Sequence, residues 1–188
     1  MFAIDHARPL KYYGFGELAV VVVWGPLMVG GGYYVVTGTI DATVLWTSLP
    51  FSLGATTVIF GKHIDKLPQD RAKNIRTLPV WLGDPLARAS VVAMIALQYA
   101  LVLWLVLGGR LGPALLLVVG AMPAARRVIA TYRAPRPQGP PVWFPAKVWP
   151  LWFVAFAFDH NRRFGLLFVL GLVLDALWVR FGVATALA

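Results

Sequence analysis

The chain has 188 residues, 59% of them hydrophobic and only 13% charged, with a mean hydropathy of +0.72, which excludes a soluble globular domain. Cysteine is absent and the three histidines, His6, His63 and His160, are scattered, so disulfides and thiolate or paired-histidine metal sites are excluded and a metal here would be a hard, oxygen-bound ion. The net charge of +9 does not point to nucleic acid, because in a chain that crosses a membrane repeatedly Lys and Arg report topology and attraction to anionic headgroups.

In chain order, five stretches approach the roughly 20 apolar residues needed to cross the hydrocarbon core. They are residues 17–36, 44–61, 89–107, 111–130 and 164–182, which predicts an all-α membrane protein forming one transmembrane helical domain over 1–188. The first stretch runs into glycines and tyrosines instead of a small-residue cleavage site, so it reads as a spanning helix and not as a removable signal. Short turns (37–43, 108–112) alternate with long polar connections (62–88, 131–163). Fifteen of the seventeen Lys and Arg fall in 1–16, 62–88 and 126–163, leaving Arg110 and Arg180 on the other side. The positive-inside rule makes that basic side cytoplasmic, with the N-terminus inside and the C-terminus outside, as in a multi-pass protein of a cell's inner membrane.

The apolar run 142–158, "VWFPAKVWPLWFVAFAF", carries Lys147, two prolines and three tryptophans and is expected to lie at headgroup level, with Trp143, Trp149 and Trp152 as anchors. The "RAPRPQGPP" before it is an extended proline-rich linker.

The stretch that invites chemistry is 61–83, "GKHIDKLPQDRAKNIRTLPVWLG". Asp65 and Asp70 would diverge by about 140° on an uninterrupted helix. Pro68 forbids one there, so the backbone is free to turn both carboxylates inward. Two carboxylates ringed by Lys62, Lys66, Arg71, Lys73 and Arg76 suit a diphosphate held through Mg²⁺, which takes one or two protein carboxylates and completes its shell with waters and phosphate oxygens. The same residues also fit an ordinary basic loop in which Lys66 and Asp70 are a weak exposed pair.

The order of residues separates these readings. "HIDKLPQDRAKNIRTLPVWLG" after an apolar helix resembles the second aspartate-rich region of the UbiA superfamily of intramembrane prenyltransferases. The upstream "PLKYYGFGELAVVVVWGPLMVGGGYYVVTG" is similar to the branch that attaches a polyprenyl chain to 1,4-dihydroxy-2-naphthoate in menaquinone synthesis, so the resemblance covers 8–83.

The resemblance implies a helical bundle that binds prenyl diphosphate through Mg²⁺ at two aspartate-rich loops and joins an allylic carbon to an aromatic acceptor, with lipid around it. By position, Asp70 matches the last aspartate of the second motif, Arg76 and Thr77 its downstream pair, and Lys11, Tyr12 and Glu17 the preceding loop. The implied site therefore has Asp65 and Asp70 as catalytic metal ligands and Lys62, Lys66, Arg71, Lys73, Arg76 and Lys11 as diphosphate ligands. The chain departs from the family where Lys66 replaces the earlier aspartate and where Lys62 and His63 replace paired asparagines.

The family's first motif, N-D-x-x-D-x-x-x-D, does not occur, and five spans stand against the family's nine. The chain is thus expected to correspond to the C-terminal portion of the bundle and to need an N-terminal half, on a second chain if not on its own. The alternative function is a noncatalytic membrane subunit or truncated relative that keeps the fold. A transporter fits less well because charge sits in loops and not at broken helices. A CDP-alcohol phosphotransferase would need a D-G-x-x-A-R motif that is absent.

Four further features carry expectations. Asp175, inside the last span, is expected to have a structural partner within the bundle or to face an absent partner, in preference to a catalytic role. Glu17 reads equally as a site residue and as a helix N-terminal acid. Gly30, Gly31 and Gly32 are expected to allow close approach or a bend, and Tyr33 and Tyr34 to anchor the helix at the interface. Asp159, His160, Asn161, Arg162 and Arg163 read as a positive-inside anchor, with phosphate contacts as the alternative.

Overall fold

Five long apolar helices carry the architecture of the computed structural model, which describes the backbone of residues 14–186 and the side chains of 14–181. The spanning helices are α1 (Gly16–Thr37), α2 (Ala42–Asp65), α5 (Asp84–Leu107), α6 (Pro113–Arg133) and α7 (Trp152–Ala186), and two short helices, α3 (Leu67–Ala72) and α4 (Leu78–Leu82), fill the connection from α2 to α5. Among the described residues there is no β-strand. The protein is an all-helical, multi-pass membrane protein.

Each helix boundary has a local cause. α2 starts where Asp41 accepts the Thr43 N–H at 2.6 Å, a bond that holds the Asp41 carboxyl below its usual range. It stops at Asp65, and Lys66 makes the break (φ −102, ψ 6) that lets Pro68 enter α3 in its first turn, where its missing N–H is harmless. α3 ends in a Schellman turn. Asn74 takes the left-handed conformation at φ 53, and the N–H groups of Asn74 and Ile75 return to the carbonyls of Arg71 and Asp70 at 3.1 and 2.9 Å. In α1 the backbone widens to π geometry over Val23–Gly30, around Pro26, which removes an N–H and crowds the preceding turn.

Helix α2 is the hub and packs against α1, α5 and α7, while α6 packs against α5 and α7. The core near the basic end joins Phe60, Ile64, Val91, Ile95, Val128, Tyr132 and Phe153, and a second cluster toward the other end joins Val102, Leu115, Val118, Phe164 and Phe168. Glycine sets the closest approaches. A Cβ at Gly25 would meet Ser52 Oγ at 2.8 Å, and one at Gly61 would meet Tyr132 Oη at 2.6 Å and Val154 Cα at 2.9 Å. Within the triple glycine, only Gly30 is crowded, by Leu45, whereas Gly31 and Gly32 face open space. Large apolar side chains such as Leu27, Val36, Leu107 and Trp178 point outward, as expected of a surface solvated by lipid.

The last helix begins earlier than 164. Residues 142–151 are irregular, with Phe144 packed into the core near the basic end, and 152–158 form the opening turns of α7, so its continuous helix runs from Trp152. No proline follows Pro150, and the opening N–H groups of α7 find an acceptor on another helix.

Candidate functional site

The basic end of the bundle collects the residues singled out in 61–83. Lys62, Lys66, Arg71, Lys73 and Arg76 are all exposed, and among the described residues none of their side chains makes an ion pair or hydrogen bond. Asp70 is half-buried in α3, and its side chain likewise has no described partner. Six potential ligands of an anion or a metal therefore stand on one short segment with no side-chain partner among the described residues. Lys11 and Tyr12 lie outside the described residues.

Asp65 is placed differently. It is 2% exposed, and its two carboxylate oxygens accept the Phe153 and Val154 N–H groups, each at 3.0 Å, at the start of α7. Arg136 approaches the same carboxylate at 3.6 Å, donates to the Asp65 carbonyl at 3.1 Å and to the Pro150 carbonyl, and lies over the Trp149 ring at 5.3 Å. Asp65 thus ties the end of α2 to the N-terminus of α7 and to the linker, where both the dipole and the free N–H groups favour a carboxylate. Both of its oxygens therefore already accept a backbone N–H. No group of three or more His, Cys, Asp or Glu that could hold a metal ion occurs among the described residues.

Glu17 supplies the third side of the site. It is 1% exposed, its Oε1 lies 2.6 Å from His63 Nδ1, and its Oε2 accepts the Leu78 N–H at 3.3 Å at the start of α4. One buried carboxylate therefore fixes α1 to α2 and seats the segment holding Arg76 and Thr77. Glu17 lies in the first turn of α1, as the helix N-terminal reading expects, and in addition serves the N-terminus of α4, a helix distant in sequence, and His63. Thr77 Oγ1 is buried beside this junction without a partner.

Residues outside 61–83 complete the basic end. A groove of about 540 Å³ between α5 and α6 is lined by Asp84, Arg88, Val92, Tyr132 and Arg133, and by none of the residues 62–76. Arg88 is held there by Asp84 at 2.8 Å and by the Ala134 carbonyl at 2.6 Å. On the face of α6 and α7, Asp159 gathers Arg127, Arg162 and Arg163 at 3.1, 3.5 and 3.0 Å. His160 and Asn161, adjacent in sequence, turn into the bundle instead.

Asp175 has the structural partner expected of an intramembrane acid. Its Oδ1 accepts the Ala114 N–H at 3.1 Å, at the first turn of α6, over the space left by Gly112.

The profile of the UbiA prenyltransferase family matches residues 6–151, which include the whole basic segment. The chain belongs to the UbiA prenyltransferase family. It is 32% identical over 99 residues to the 1,4-dihydroxy-2-naphthoate octaprenyltransferase of Haemophilus influenzae, covering 50% of this chain and 32% of that protein. With the enzyme of the same name from Mycobacterium tuberculosis it shares 30% over 127 residues, 64% of this chain and 44% of the relative. With that of Escherichia coli it shares 32% over 81 residues, 43% and 26% respectively. The chain thus spans between about a quarter and under half the length of these relatives. No solved structure matches it.

Proposed function

We propose that this chain handles the diphosphate of a polyprenyl diphosphate during transfer of the polyprenyl group to an aromatic acceptor. The acceptor to test first is 1,4-dihydroxy-2-naphthoate, from the names of the bacterial relatives, which would place the reaction in menaquinone synthesis. The observation that supports the reading is the set of five cations, without a side-chain partner among the described residues, beside Asp70 on a segment pinned at both ends, by Asp65 and by Glu17. A loop whose charges served only solubility would not need buried anchors on two other helices.

In the proposed reaction the allylic C–O bond breaks, diphosphate departs with the electron pair, and a ring carbon of the acceptor bonds to the allylic carbon, the ring regaining aromaticity by losing a proton or, where that carbon carries a carboxylate, CO₂. Lys62, Lys66, Arg71, Lys73 and Arg76, with Lys11, stabilise the charge that develops on the leaving diphosphate. Of the two aspartates, Asp70 is the one free to meet an ion such as Mg²⁺, and Asp65 acts by holding the segment in place. The basic end faces the cytoplasm and the N-terminus lies on that side, in a cell's inner membrane. The transfer is proposed for the chain acting with the other aspartate-rich motif of the family, whether that motif is carried by the same polypeptide or by a second chain.

Binding tests the reading. Membranes containing the chain should bind a labelled, non-transferable prenyl thiodiphosphate, and inorganic diphosphate should compete. The double substitution Lys73→Ala and Arg76→Ala should weaken binding about tenfold or more, given the usual strength of charge-assisted contacts. Unchanged affinity in the double variant would remove the basis for the assignment.

A further inference from the structure

Within the bundle, Gln98 of α5 and His160 of α7 are both fully buried, and neither Gln98 Oε1, Gln98 Nε2 nor His160 Nδ1 has a protein partner. The other ring nitrogen of His160 lies 3.1 Å from Tyr99 Oη. Gln98 Nε2 also borders Gly54 of α2, where a Cβ would come within 2.8 Å of it and would overlap the side-chain oxygen of Asn161. Gln98 of α5 and Asn161 of α7 therefore meet at Gly54, one of two positions of α2 without a side chain, and their chain neighbours Tyr99 and His160 contact each other beside them. The neighbourhood is otherwise apolar, with the Phe164 ring 5.3 Å from that of Tyr99 and 5.9 Å from His160.

Burying a carboxamide with neither its donor nor its acceptor used costs several kcal/mol in an apolar setting, on the order of 2–7. A ligand that both donates and accepts would remove that cost. Even a single carbon at Gly54 would overlap Asn161 and crowd Gln98, which favours a small ligand, and the cluster has no net charge to hold an ion. Water meets both requirements, and buried waters characteristically bridge two to four polar groups that the protein leaves unsatisfied.

We propose that Gln98, His160 and Asn161 form an internal water-binding site that joins α2, α5 and α7. The water accepts from Gln98 or donates to it, closes the bond to His160 Nδ1, and makes Gly54 a requirement, because a methyl group there would occupy the space of the network. The site is independent of the prenyl-transfer reading.

The test is magic-angle-spinning NMR on the full chain in lipid bilayers, with ¹⁵N-histidine labelling and magnetisation transferred from water. His160 Nδ1, assigned by the signal lost in His160→Asn, should show water transfer within milliseconds, and Gln98→Leu should abolish that transfer while the remaining spectrum is retained. A wild-type His160 without water transfer would overturn the site. So would transfer that persists at full intensity in Gln98→Leu. A map of the protein in nanodiscs with ordered solvent resolved should place a water within about 3.2 Å of Gln98 and of His160 Nδ1. A direct Gln98 to Asn161 or His160 bond with no solvent density between them would overturn it as well.

Discussion

Asp65 and Phe153 lie 88 residues apart, and the carboxylate of one accepts the backbone N–H of the other at 3.0 Å. The same relationship recurs through the bundle. Glu17 accepts the first N–H of α4, and Asp175 accepts the Ala114 N–H of α6. Carboxylates on one helix, buried or partly buried, serve the starts of others. The first turn of a helix leaves N–H groups unsatisfied, and in a lipid-embedded protein they have little water to turn to.

Removing the Asp65 carboxylate should therefore damage the fold before it damages the chemistry. Asp65→Ala leaves the Phe153 and Val154 N–H groups without their acceptor and Arg136 with only its carbonyl partners, a loss of about 2–6 kcal/mol at about 1–3 per orphaned group. Thermal unfolding in detergent should fall by the same amount with and without Mg²⁺. A loss that appears only when Mg²⁺ is present would identify Asp65 as a metal ligand instead.

Glu17 and His63 should be energetically coupled. In a double-mutant cycle of Glu17→Gln and His63→Ala, an interaction of about 1–2 kcal/mol is expected for a buried contact of this kind. Additivity within about 0.3 kcal/mol would show that the 2.6 Å contact does not contribute.

Glycines that look alike in the sequence should behave oppositely. Gly61→Ala places a methyl against Tyr132 Oη and the Val154 backbone and should cost about 1–3 kcal/mol through overpacking. Gly31→Ala meets nothing and should be neutral or stabilise by up to about 1 kcal/mol through helix propensity. Paired melting curves of the two variants check this.

Asp175 separates capping from charge. Asp175→Asn keeps an acceptor for Ala114 and replaces the partnerless Oδ2 by an amide nitrogen, so it should change stability by less than about 1 kcal/mol. Asp175→Leu strands the N–H and should cost about 1–3 kcal/mol. Unfolding of both variants under one detergent condition gives the comparison.

The spans were legible because their apolar length is set by the bilayer, and the break between Asp65 and Asp70 was legible because proline acts locally. The start of α7 was less so. Tryptophan, proline and lysine in 142–151 mark an interface, but from Trp152 onward the run holds no proline, which is the signal that helix can begin there. The role of Asp65 was not legible, because its partners are backbone N–H groups that nearly every residue carries and that only the packing of α2 beside α7 selects. Sequence spacing placed Asp65 and Asp70 near each other along the chain but carried no information on which way each carboxylate faces. For Glu17, the local pattern offered a helix N-terminus, yet the N–H it serves belongs to Leu78 on another helix.

The measurement that bears most directly on the account is prenyl transfer in membranes that contain this chain together with the family's first aspartate-rich motif. It uses labelled polyprenyl diphosphate, Mg²⁺ and 1,4-dihydroxy-2-naphthoate, and compares wild type with Asp70→Ala. The account predicts product with the wild-type chain and a loss of at least about a hundredfold with Asp70→Ala, whose melting temperature stays within the range of a surface substitution. Full activity in Asp70→Ala, or no product from this and other aromatic acceptors with a folded wild-type chain, would contradict it.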